Sequence, residues 1–230
     1  MATVTIRRKI GGEFQAFDLP DGAEALRKRG VLPGAFGWDR AAHLFRTLQA
    51  EGSSAVDLLP AAFPTSWMVN ARATSRTFVQ WTLMEETWRR VFEVLRFDTS
   101  LDEWRKVDED TRTRLAADVA ALATAPGATL VAVTKVLALL VPQLVPLMDD
   151  AALAWALEAV PMPATADAPT AGPEHFLPMM DWFAEETARA EPALIELART
   201  HDLAVLDAPQ VLDRLLWFES WGRKLLQGAA

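Results

Sequence analysis

Apolar positions recur along most of this chain at three- and four-residue spacing, the period of a helix buried along one face. The start is the exception. Val4 and Ile6 alternate with polar neighbours, Phe14 and Phe17 follow beyond Gly11-Gly12, and residues 3–18 read as a β-hairpin. Asp21 to Arg29 ends at Gly30 and Asp39 to Ala50 ends near Gly52, each a predicted helix with an acidic N-cap and a glycine stop. Residues 32–38, from Leu32 to Trp38, read as a turn-rich link between them. A long helix is predicted from about Thr74 to Phe97, with Phe78, Trp81, Trp88, Val91, Phe92 and Leu95 as its apolar stripe and Leu83 on its flank. Further helices are predicted at Leu101–Lys106, Asp110–Ala123, Thr129–Val141, Asp150–Val160, Phe176–Thr200 and Ala208–Leu226. The Pro/Ala-rich stretch 161–173 is the one internal linker the pattern offers. The fold class is therefore mainly α with a small N-terminal β-hairpin. It divides into residues 1–60, holding the hairpin and first helices, and a helical domain at 61–230.

Composition narrows the function classes. With 230 residues, 51% of them hydrophobic, the chain can bury a sizeable core. The absence of cysteine excludes disulfides and Cys-ligated metal, and fits a reducing cytoplasm. The first ten residues lack the apolar core of a signal peptide, so a cytoplasmic protein is expected. The run Leu130–Met148 is interrupted by Lys135, Pro142, Gln143 and Pro146, well short of the roughly 20 apolar residues of a membrane span. His43, His175 and His201 have no metal-ligand spacing, and neither a metal nor a cofactor is expected. Walker, Rossmann and Gly-x-Ser-x-Gly signatures are missing. The net charge of −8 argues against nucleic acid, but its distribution is uneven. Residues 148–210 hold twelve acids and two bases; the remainder holds nineteen acids and twenty-one bases, which permits a basic face there.

Most of the chemistry sits between residues 126 and 149. A Pro126-Gly127 turn opens an apolar helix that carries Lys135, two prolines stop it, and Asp149-Asp150 stands where the next helix begins. A cation and an anion bracketing a buried helix are costly unless they pair or do chemistry. Asp149 reads either as an acid poised for chemistry or as an N-cap with Asp150 in the first turn, and Lys135 either as its clasp or as a snorkelling stem. Elsewhere, Trp38 and Trp67 lie in turn-rich segments and are candidates for a pocket wall or wedge. Asn70 to Arg76 places Arg72 and Arg76 at a predicted helix start, which suits phosphate contact or simple solvation.

The helix 110–123, the turn at Pro126-Gly127 and the helix 129–141 together resemble the helix-hairpin-helix DNA glycosylase superfamily, over roughly residues 110–160. Its members carry a Leu-Pro-Gly-x-Gly turn, a helix and then an essential Asp after a proline-containing approach. Here Gly127 precedes Asp149 by 22 residues, Thr129 replaces the second glycine, and the lysine nucleophile of bifunctional members falls at Val131. Over about 90–220 the chain is also similar to an uncharacterised bacterial domain family with a Lys-x-Leu-x4-Pro-x-Leu-x-Pro-x-x-Asp pattern. Lys135, Leu137, Pro142, Leu144, Pro146 and Asp149 match it, with Ala138 where members often carry His. That family tends to end in Leu-Asp-x-x-x-Trp, as at Leu212, Asp213 and Trp217.

The first resemblance implies a helix-hairpin-helix glycosylase-like domain acting as a monomer on double-stranded DNA with a flipped base. In it, Asp149 stabilises an oxocarbenium-like sugar and directs water, assisted by Lys135 one turn, about 6 Å, beyond Val131. Gly127, Thr129, Arg72 and Arg76 then contact DNA, and Trp38 and Trp67 flank the base. With Val131 at the nucleophile position, the enzyme would leave an abasic site, in repair or on hypermodified phage bases. The competing expectation is a non-catalytic helical module in which Lys135 and Asp149 form a structural clasp and the acidic lobe meets a basic protein partner.

Overall fold

The computed structural model describes residues 3–19, 33–69, 73–147, 149–160, 170–201 and 206–222. Strands β1 (Val4–Ile10) and β2 (Glu13–Leu19) pair antiparallel with Val4 opposite Leu19 and Ile10 opposite Glu13. Gly11 and Gly12 both adopt positive φ, 60° and 87°, as a two-residue turn matched to the strand twist requires. Everything else regular among the described residues is helical: α1 (Pro33–Ala50), α2 (Ala55–Thr65), α3 (Ser75–Leu83), α4 (Glu85–Val94), α5 (Leu101–Trp104), α6 (Glu109–Ala123), α7 (Leu130–Leu140), α8 (Asp150–Leu157), α9 (Phe176–Thr200) and α10 (Ala208–Trp217). The helix expected at Asp21–Arg29 lies outside the described residues, as do 161–169 of the Pro/Ala-rich stretch.

Helix α7 is the axis of the molecule. All eleven of its residues are buried, the pattern of a helix apolar on every side and enclosed by neighbours. It packs against α1, α2 and α6. Its C-terminal carbonyls cannot reach water, and Gln49 of α1 donates from Nε2 to the Leu140 carbonyl at 2.8 Å.

Three elements depart from the sequence reading. Residues 33–38 of the expected link are instead the beginning of α1, where Pro33 suits the first position of a helix. Helix α2 is an addition to the predicted elements and holds Pro60 and Pro64 inside it; burial of Leu58, Leu59, Ala62 and Phe63 outweighs the lost backbone hydrogen bonds. The long helix is broken at Met84 and ends at Val94. Two indoles seven residues apart on a straight helix would be displaced by about 10 Å along its axis. The break instead brings the Trp81 and Trp88 rings to 5.7 Å, edge to face, beside Phe63.

The β-hairpin is fastened by side chains that imitate a neighbouring strand. Arg7 donates its backbone N–H to the wholly buried Glu186 carboxylate at 2.7 Å and its Nε to the other oxygen at 2.9 Å. Trp182 donates its indole N–H to the Arg7 carbonyl at 2.7 Å. At the turn, the Gly12 and Gly11 amides hold the Glu158 carboxyl below its usual 4.5. A depressed carboxylate contributes stability above its unfolded value and loses it as pH falls through the folded one. Glu158→Gln should therefore resemble the wild type in acid and be the less stable protein above about pH 4.5, read as Tm against pH.

Candidate functional site

The hairpin between α6 and α7 is built from local geometry. Ala128 N–H closes a turn on the Ala125 carbonyl at 2.8 Å, and Gly127 takes φ +77°, where a side chain is strained. Thr129 then caps α7, its hydroxyl accepting from Ala132 N–H at 3.1 Å. Pro126 and Gly127 are exposed, whereas every residue from Leu130 to Leu140 is buried.

The start of α3 leans on this turn. Thr77 donates to the Pro126 carbonyl at 3.3 Å, and a Cβ on Gly127 would stand 2.9 Å from the Thr77 hydroxyl and 3.4 Å from that of Thr74. Gly127→Ala should cost about 1–3 kcal/mol, through positive φ and this overlap, measured by denaturant unfolding. Arg76 is exposed on the same first turn of α3, between the two threonines that meet the Gly127 turn. Trp67 joins them. It is 49% exposed, donates its indole N–H to the Ala73 carbonyl at 2.8 Å, and lies 5.0 Å from the Phe78 ring. Arg72 lies outside the described residues. Trp38 is elsewhere: at 3% exposure it is a core residue of α1.

Beyond α7 the chain stays buried from Val141 to Leu147 and then reaches the acidic pair, of which Asp149 is half-buried and Asp150 buried. Asp149 caps α8, its Oδ1 accepting from Ala152 N–H at 3.0 Å. It is half-buried, and its Oδ2 takes no hydrogen bond from a described residue. Asp150 differs: it is 9% exposed and accepts from Ala171 N–H at 2.8 Å. The two acids thus differ in burial and in partner: Asp149 caps its own helix and Asp150 reaches a distant amide. Lys135 is 5% exposed in the middle of α7 and is not without a partner. Among the described residues no ion pair joins it to Asp149, whose assigned donor is Ala152.

A contact that spacing alone does not reveal comes from α10. Asp213 Oδ1 accepts from Leu147 N–H at 2.6 Å, two residues before Asp149 and 66 positions away in sequence. The Leu-Asp-x-x-x-Trp segment marked Asp213 only by resemblance, with no role attached. Its neighbour Arg214 pairs with Asp39 of α1 at 2.9 Å, so α10 is tied to both the central segment and the first described helix.

A pocket of ≈ 250 Å³ lies where α2 meets α3 and α4, floored by Leu59, Phe63 and Trp81 with Asp57 and Glu85 in its lining. It contains none of the residues marked by the sequence. Among the described residues no group of three His, Asp or Glu side chains could hold a metal, and no helix is long and apolar enough to cross a membrane. No protein-family model matches the chain, and no curated protein or solved structure is similar enough to it to identify a relative.

Proposed function

We propose that this chain is a monofunctional DNA N-glycosylase, with Asp149 as its essential carboxylate and double-stranded DNA carrying a flipped, damaged or modified base as its substrate. The observation that carries the reading is the division of labour between the adjacent acids. Asp150 is buried and accepts from Ala171 N–H, whereas Asp149 is half-buried and is oriented through one oxygen by Ala152 N–H. Breaking an N-glycosidic bond places positive charge on the deoxyribose. A carboxylate fixed by a backbone N–H before the substrate arrives stabilises that charge without reorganising, and can direct a water onto the anomeric carbon.

Other exposed features suit such a substrate. The turn at Gly127 and the side chain of Arg76 offer an accessible backbone and a cation to phosphate. Trp67, half-exposed beside the start of α3, is placed to stack on an unpaired base. Val131 occupies the position where bifunctional relatives of the resembling superfamily carry lysine, so water is the nucleophile and an abasic site the product. The target is a damaged base in repair or a hypermodified base of phage DNA, and the enzyme works as a cytoplasmic monomer without metal or cofactor.

The test is incubation of the wild-type protein with duplexes carrying uracil, hypoxanthine, 3-methyladenine, 8-oxoguanine or glucosylated 5-hydroxymethylcytosine. Release of free base from at least one, with strands that break only on alkali treatment, is the expected result. Intact base in every duplex would overturn the proposal.

A further inference from the structure

We infer that Asp213 is a positioning residue: its carboxylate sets the backbone from which Asp149 projects, a role that deepens the base-excision reading and rests on it for its catalytic consequence. The segment Val141–Leu147 is buried and non-helical, and its Val141, Leu144 and Val145 amides are met locally, by the carbonyls of Leu137 and Val141, whereas Leu147 takes its partner from a distant helix. For Leu147 that partner is Asp213, at 2.6 Å, a charge-assisted bond from a carboxylate to a backbone N–H. Asp213 has little freedom of its own. Leu212, Leu215 and Leu216 on the same helix are buried, and Arg214 is held by Asp39. The Leu147 amide is thereby fixed two residues before Asp149, whose backbone conformation (φ −99°, ψ −178°) aims its Oδ1 at Ala152 N–H. Losing the Asp213 contact frees the approach to the cap, and with it the direction of the Asp149 carboxylate.

Amide hydrogen exchange tests this without any substrate, in wild type, Asp213→Ala and Asp213→Asn. Two amides are the reporters: Leu147, bonded to Asp213, and Ala152, bonded to Asp149. A third, Ala132, is protected by the remote Thr129 cap and reports global stability. In Asp213→Ala, exchange at Leu147 and Ala152 should quicken about tenfold or more relative to Ala132. Asp213→Asn, whose side-chain carbonyl still accepts from Leu147, should restore protection at both. Quickening at Leu147 alone would overturn the inference, because Asp149 would then hold its place unaided. Equal quickening at all three amides, or Ala152 protection lost in the Asn variant as fully as in the Ala variant, would overturn it as well.

On a duplex from which the wild type releases base, Asp213→Ala should lower kcat roughly a hundredfold with KM little changed, and Asp213→Asn should recover most of it. Absence of base release by the wild type would refute the excision reading alone, leaving the exchange result to judge the positioning.

Discussion

Asp149→Asn should leave the protein folded and reduce base release by about 10²–10³-fold, the usual cost of removing one preorganised electrostatic contact to a transition state. The two effects separate because Asn has almost the same volume as Asp and is an equally good N-cap, so the bond from Ala152 N–H survives. Thermal unfolding of the variant should fall within about 0.5 kcal/mol of wild type. Asp149→Ala is the contrasting change: it also removes the cap and should cost about 1 kcal/mol in addition to activity. Neighbouring Asp150→Asn should show the opposite balance. That carboxylate is buried on Ala171 N–H, so stability should suffer while activity persists in the folded fraction. Wild-type excision in Asp149→Asn would remove Asp149 from the site.

Lys135→Gln should be the most destabilising of the single changes considered. Lys135 is almost fully enclosed by an apolar helix and its surroundings, and it is not without a partner. Deleting the charged member of a buried interaction leaves its partner unsatisfied, at about 1–3 kcal/mol and more where that partner is itself charged. Against a total stability of about 5–15 kcal/mol, that is a large fraction. Urea unfolding reads the loss directly as a shifted midpoint with an unchanged slope. Borohydride added during turnover should trap no covalent protein–DNA adduct with the wild type, since Lys135 is sealed within α7 and Val131 has no amine. An adduct that forms with wild type and disappears in Lys135→Gln would assign the lysine as nucleophile and replace the water mechanism.

Legibility in the sequence followed the range of the interactions. Capped helices were readable because their signals are local: Thr129 before α7, Asp149 before α8, and the Gly11-Gly12 turn between the strands. Elements governed by tertiary packing were not. Pro60 and Pro64 break the helical signal of α2, yet buried leucines and Phe63 hold it helical. The break at Met84 follows from packing two tryptophans together, which no helical period encodes. Trp38 read as a loop residue because Pro33, Gly34 and Gly37 surround it, although those residues lie within α1 and the ring is buried. At the candidate site, Asp149 was visible through its position after the prolines. Asp213 was visible only as part of a motif, since its bond to Leu147 joins distant segments and depends on how α10 is docked.

The identity of the excised base does not enter the most direct measurement of all. Duplex DNA containing a protonated pyrrolidine in place of one deoxyribose carries the charge that develops during glycosidic cleavage; a tetrahydrofuran in the same position is its neutral counterpart. Transition-state analogues bind about 10²-fold tighter or more where catalysis depends on the charge they mimic. The wild type should prefer the cationic duplex by about that factor, and Asp149→Asn should bind the two duplexes nearly alike. Equal binding of both duplexes by the wild type, or a cation preference undiminished in Asp149→Asn, would contradict the assignment of Asp149 as the carboxylate that stabilises the sugar cation.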